Sequence, residues 1–251
     1  MKLANIYPVA NQELYKDESY VMILAHLLKY YKPENFNPNA YIIMDNGLYE
    51  EAQVSTDLEP IVQMAKKSGI KVNEIIVPDV LNECEANIKL FETNLPVIKA
   101  HPEMNFMFVA QAKTVAELKR AIDYINSYKD TVPNLAVGFS KLAPLDRLSD
   151  EVIAVLKTCV YPIHVLGVML SFAENEKLKT FCRGNDTSHL AYMVKNEDTI
   201  PADPLHYTRR GRRADGRGVE GVDIELETDV LDSNKLRAFR DAIMPQLGYE
   251  R

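Results

Sequence analysis

Asp45, Asp79 and Gln111 each close a short apolar run, in "YIIMDNG", "IIVPDV" and "FMFVAQ", and Asp186 stands in "CRGNDTSHLAY". Paired carboxylates supply a general acid or base and a nucleophile. A carboxylate beside an amide reads the donors and acceptors of a planar polar ligand. Gly47, Gly138 and Gly167, near the ends of similar runs, would let backbone approach such a ligand closely. Each residue also has a purely local role open to it. Asp45-Asn46-Gly47 is a good turn sequence, Asp79 and Asp186 can cap the helices that follow, and Gln111 can bond to loop backbone. Their recurrence at successive strand ends favours a common site. His164 and His189 fall near the same positions without metal-ligand spacing, so no metal is expected. There is no nucleophile elbow around a serine, and Cys84, Cys159 and Cys182 are too far apart for a zinc cluster or a disulfide framework.

The elements that would carry these residues are strands of one kind. "ANIYPVA", "YIIMDNG", "EIIVPDV", "NFMFVAQ", "NLAVGFS" and "PIHVLGVML" are short and mostly apolar on both faces, as parallel strands covered by helices are. Between them, Thr56–Ser68, Asn82–Phe91, Thr114–Tyr128, Asp146–Lys157 and Ser171–Phe181 have helical spacing. Thr114 with Glu117 forms a capping-box pattern. Strand ends recur about every 30 residues, the length of a βα unit. Two further strands can be fitted around residues 182–190 and 204–226, and a closing helix begins near Asp232. The expected architecture is a (β/α)8 TIM barrel, irregular toward its end, occupying residues 1–251 as one domain. Catalytic groups of such barrels sit at the C-terminal ends of the strands. A doubly wound open sheet is the alternative, but no Gly-x-Gly-x-x-Gly follows any strand, so a dinucleotide cofactor is not expected.

Composition excludes several classes. Neither a signal-peptide pattern at "MKLANIYPVANQEL" nor an apolar run of about 20 residues is present, so a cytoplasmic location away from the membrane is expected. A net charge of -7 disfavours a generic nucleic-acid binder, yet "YTRRGRRADGRG" gathers Arg209, Arg210, Arg212, Arg213 and Arg217 in a basic loop at 207–218. That run is either a phosphate-seeking segment or a solvated surface loop.

The order of these motifs resembles the tRNA-guanine transglycosylase superfamily, especially the smaller phage and bacterial DNA-guanine transglycosylases. The resemblance covers residues 40–195. "MDNGLYE" is similar to that family's Asp-Ser-Gly-Gly-Phe-Gln segment, which implies Asp45 as general acid/base with Asn46 and Gly47 beside the substrate. "IIVPDV" and "FVAQAKT" resemble the segments of the base-reading aspartate and glutamine, implying Asp79 and Gln111. "LAVGFSK" stands where the family has Leu-Ala-Val-Gly-Glu, with Gly138 matching and Phe139 replacing the acid. "HVLGVML" is similar to Tyr-Leu-Met-Gly-Val-Gly, implying Leu166 and Gly167 as pocket walls. "GNDTSHLAY" resembles the Phe-Asp-Ser segment, implying Asp186 as nucleophile. Tyr49 or Phe139 would stack on the base.

The implied reaction replaces guanine in DNA by a 7-deazaguanine such as preQ0 through a glycosyl-aspartate intermediate, without a cofactor. The family's Cys-x-Cys-x-x-Cys zinc segment is missing, as are the RNA-binding domains of its archaeal members, which turns the expectation from tRNA toward DNA. The arginine run would then hold phosphates. Three other readings stay open: a tRNA-acting enzyme, a catalytically silent nucleic-acid-binding homologue, and an unrelated barrel lyase or aldolase whose nearest Schiff-base lysine would be Lys141. A homodimer and helper proteins that open the duplex are also left open.

Overall fold

Apolar runs of four to six residues are too short for buried helices, and in parallel array they satisfy one another's backbone. A computed structural model describes residues 1–48, 53–140, 148–205 and 225–250. Its strands are β1 (Lys2–Asn5), β2 (Tyr20–Leu24), β3 (Tyr41–Asp45), β4 (Glu74–Ile76), β5 (Asn105–Ala110), β6 (Leu135–Ser140), β7 (Ile163–Leu166) and β8 (Cys182–Thr187). All their ladders are parallel, in the order β1-β8-β7-β6-β5-β4-β3-β2. The first strand pairs with the last, and β1 and β2 pack side by side, so the sheet curls into a nearly closed (β/α)8 barrel.

The helices are α1 (Leu58–Lys67), α2 (Cys84–Ala100), α3 (Val115–Asn126), α4 (Asp150–Leu156), α5 (Phe172–Leu178), α6 (His189–Asn196) and the closing helix α7 (Ser233–Gln246). Five of them start on side-chain caps, whereas α2 and α6 have none. The side chains of Asp57, Ser149 and Asp232 accept N–H bonds from the first turns of α1, α4 and α7. Thr114 with Glu117, and Ser171 with Glu174, form complete capping boxes. Each cap contributes on the order of 1 kcal/mol.

Two expectations need correction. The eighth strand among the described residues is Tyr20–Leu24, which the sequence reading missed; most of the segment expected at 204–226 lies outside the described residues, and residues 204–205 and 225–226 are not strand. β2 was hidden because β1 and β2 are joined by a short 3-10 helix, Val9–Asp17, instead of a full crossover helix. In addition, α2 runs past Phe91 to Ala100 with Pro96 inside it.

Alternation along the strands divides the apolar side chains into two cores. Ala4, Tyr20, Met22, Ile43, Ile76, Met107, Val109 and Ala136 fill the barrel interior. Val21, Ile23, Ile42, Met44, Ile75, Phe106, Phe108, Val137, Phe139 and Val165 face the helices. Among the described residues the interior has a polar floor at the strands' N-terminal ends. Arg183 Nη1 donates to Glu74 Oε2 at 2.7 Å and Nη2 donates to Glu74 Oε1, while Tyr41 Oη donates to Glu74 Oε2 at 2.7 Å and Asn105 donates to Tyr41 Oη. Glu74 is fully buried, so this pairing is what makes its charge tolerable there. No described helix is long and apolar enough to cross a membrane.

Candidate functional site

The C-terminal rim of the barrel collects the polar residues expected at the strand ends. Asp45 is the last residue of β3 and is half-buried. Asn46 follows it, fully buried, and its Oδ1 accepts the Leu48 N–H at 2.8 Å across a turn in which Gly47 has φ +83°. Asn46 is therefore more than a turn residue, because its Nδ2 reaches the next strand end. It donates to Val77 O at 3.1 Å and to Asp79 Oδ1 at 2.9 Å. Gln111, past the end of β5, donates from Nε2 to Asp79 Oδ2 at 2.8 Å. The Asp79 carboxylate is thus cradled between two side-chain amides from the neighbouring strands. Burial pushes the Asp79 carboxyl above the usual range, against the pull of the Asn46 and Gln111 donors.

Asp186 stands on the opposite side of the ring, in β8, and is also buried. His164 Nε2 meets its Oδ1 at 2.9 Å, and the Gly167 N–H lies 3.1 Å from both Oδ1 and Oδ2. Gly167 has φ +69°, a left-handed backbone that suits glycine and turns its N–H onto the carboxylate. His164 Nδ1 is in turn 2.7 Å from Tyr20 Oη. Burial raises the Tyr20 phenol far above its ordinary value, so it stays protonated. Gly184 makes this arrangement possible, since a Cβ there would lie 2.7 Å from the Tyr20 ring and 2.9 Å from the Lys2 carbonyl.

Not every expected residue plays the part assigned to it. Gly138 faces the interior, but a Cβ on it would meet Leu166 and Met107, each at 2.9 Å, so its smallness serves packing among side chains. Leu166 is the partly exposed end of β7 and packs against the interior cluster. Phe139 does not stack in the mouth. It lies between Gly138 and Ser140, so the strand's alternation turns its ring outward into the core under the helices, fully buried. His164 is inside the barrel rather than on the rim. His189 begins α6, where burial draws its imidazole down to about 4 and keeps it neutral. Tyr49, Lys141, Arg209, Arg210, Arg212, Arg213 and Arg217 lie outside the described residues.

Sequence reasoning passed over Tyr20 and gave His164 no role beyond excluding a metal. The one signal for His164 was a lone polar residue inside "IHVL", a strand otherwise apolar on both faces. Among the described residues no three His, Cys, Asp or Glu side chains gather as metal ligands would. The site can therefore be described as an amide-cradled carboxylate at Asp79, a carboxylate clamped by imidazole and backbone at Asp186, and a third carboxylate, Asp45, on the strand next to Asp79. Searched against protein-family models and against curated proteins, the chain gives no match.

Proposed function

We propose that this chain is a base-exchange glycosyltransferase that replaces guanine in DNA by a 7-deazaguanine base of the preQ0 type. The observation that carries this reading is the pair of differently held buried carboxylates, Asp79 just past β4 and Asp186 near the end of β8, on strands four places apart round the barrel. The order of motifs from "MDNGLYE" to "GNDTSHLAY" supports it independently.

The chemistry follows from what each group has left to offer. Both Asn46 N–H bonds are committed, but each Asp79 oxygen keeps acceptor capacity and Gln111 keeps a second N–H. Two acceptors beside a donor match the ring N–H, amino and carbonyl groups along the edge of a guanine-type base. Asp186 Oδ1 takes both His164 and Gly167, whereas among the described residues Oδ2 takes only the shared Gly167 N–H. Oδ2 is accordingly the attacking oxygen. It bonds to C1′ as the bond from C1′ to the guanine nitrogen breaks, and the electron pair leaves with guanine, which takes a proton from Asp45. The incoming 7-deazaguanine returns a proton to Asp45 as its nitrogen bonds C1′ and the bond to Asp186 opens. Two inversions give retention, as in retaining glycosidases. A guanine in duplex must be flipped out to reach the rim, and the arginine run at 207–218 would hold phosphates beside it.

The test is exchange of labelled guanine or preQ0 into DNA and tRNA offered side by side, with denaturing capture of the adduct. DNA labelling by wild type, lost in Asp186→Ala together with the adduct, is expected. Labelling of tRNA alone would reassign the polymer. Full exchange by Asp186→Ala or Asp45→Ala would remove the role given to that residue.

A further inference from the structure

We infer that His164, with its tautomer set by Tyr20, is the positioning residue that holds Asp186 for attack; this deepens the transglycosylase reading and rests on it for its catalytic consequence. The three side chains come from β2, β7 and β8 and meet only inside the barrel. His164 and Asp186 are both buried, so neither can exchange its partner for water without opening the barrel. Asp186 Oδ1 can only accept from His164 Nε2, so in the neutral imidazole Nδ1 is the acceptor and the protonated Tyr20 phenol, its Oη 2.7 Å away, is the donor. With Nδ1 an acceptor, the imidazole proton is on Nε2, where it donates to Asp186 Oδ1. The Gly167 N–H supplies the second restraint on the same carboxylate.

Fixing Oδ1 from two directions restrains the carboxylate to one orientation and, among the described residues, leaves Oδ2 with only the shared Gly167 N–H. The charged and titratable groups packed around this chain are Asp186 itself and, beneath Tyr20, Tyr41 from β3, Glu74 from β4 and Arg183 from β8. Arg183 is committed to Glu74 rather than to the imidazole. His164 is therefore placed to orient Asp186, without touching substrate or moving a substrate proton. Misplacing a reacting group by about 1 Å costs roughly 10²-fold in rate, and that is the effect expected of losing His164.

The test has a structural arm and a catalytic arm, both on the full chain. Long-range ¹H–¹⁵N spectra of imidazole-labelled protein should show His164 protonated on Nε2 with an acceptor Nδ1. Its Nδ1 resonance should shift in Tyr20→Phe and its Nε2 resonance in Asp186→Asn. A proton on Nδ1, or indifference to both substitutions, overturns the inference whether or not the protein exchanges bases. In the exchange assay, His164→Phe should lower kcat about 100-fold with the KM for free base unchanged, while His164→Gln, which keeps an N–H donor, should recover most of it. Equal loss in the two variants, or a loss confined to KM, overturns the positioning role. Correct spectra with no exchange by wild type would reject the transglycosylase reading and leave the Tyr20–His164–Asp186 geometry standing.

Discussion

Gly167→Ala tests the clamp on Asp186 without altering the carboxylate itself. The glycine has φ +69°, and an L-residue with a Cβ held there costs about 1–2 kcal/mol. At this chain length, each kcal/mol lowers Tm by roughly 2–4 °C, so a fall of about 2–8 °C is expected if the loop keeps its shape. If the loop relaxes instead, the N–H leaves both Asp186 oxygens, which it meets at 3.1 Å. A hydrogen bond to a charged group is worth about 1.5–3 kcal/mol, equivalent to roughly 10- to 150-fold in rate. Thermal melts and the rate of adduct formation, measured on the same preparations, separate the two outcomes. Gly167→Asn is the control, because asparagine tolerates the left-handed region better; it should be the milder variant on both measures. An alanine variant with wild-type Tm and wild-type adduct rate would refute the reasoning, since the backbone could then neither need glycine nor matter to Asp186.

Two further outcomes follow from buried charge. Glu74→Gln leaves Arg183 without its carboxylate in the barrel floor and should destabilise by about 3 kcal/mol, the low end for a broken buried pair because the Arg183 side chain is 21% exposed; an unchanged urea midpoint would refute this. Burial raises the Asp79 carboxyl above its ordinary value near 4, so the native state binds that proton more readily than the unfolded chain. Its stabilising contribution is then full below about pH 4 and is lost as pH rises through the native value. Asp79→Asn should remove that fall from the stability-versus-pH curve and, on the transglycosylase proposal, abolish base binding, whereas an Asp79→Asn curve that falls more steeply with pH would reverse the sign assigned here.

Much of the scaffold was legible because it depends on local physics. Thr114 with Glu117, Ser171 before Glu174 and Asp232 are side chains that answer unsatisfied helix N–H groups close by, and the structure starts helices at each. Apolar runs such as "YIIMD" and "NFMFVA" are strands whatever their partners, and their spacing implied parallel pairing into a barrel. β2 and β8 were less legible for opposite reasons. "YVMIL" is buried along its whole length but is not set off by a crossover helix. "CRGNDT" has almost no strand character, and becomes a strand because β1 and β7 offer it hydrogen bonds on both sides.

By itself, the sequence determined the capped starts of α3, α5 and α7, most of the strands and the appearance of Asp45, Asp79, Gln111 and Asp186 at or near strand ends. Only the tertiary structure decided which side chains serve one another. Asn46 and Gln111 converge on Asp79 across neighbouring strands, and Tyr20 reaches His164 across 144 positions of chain. Register, including the irregularity between Ile163 and His164, sets which face each residue presents. A strand shifted by one residue turns every side chain to the other face, so the barrel's ladders, more than any single residue type, turned Phe139 out to the helices and His164 in toward Asp186.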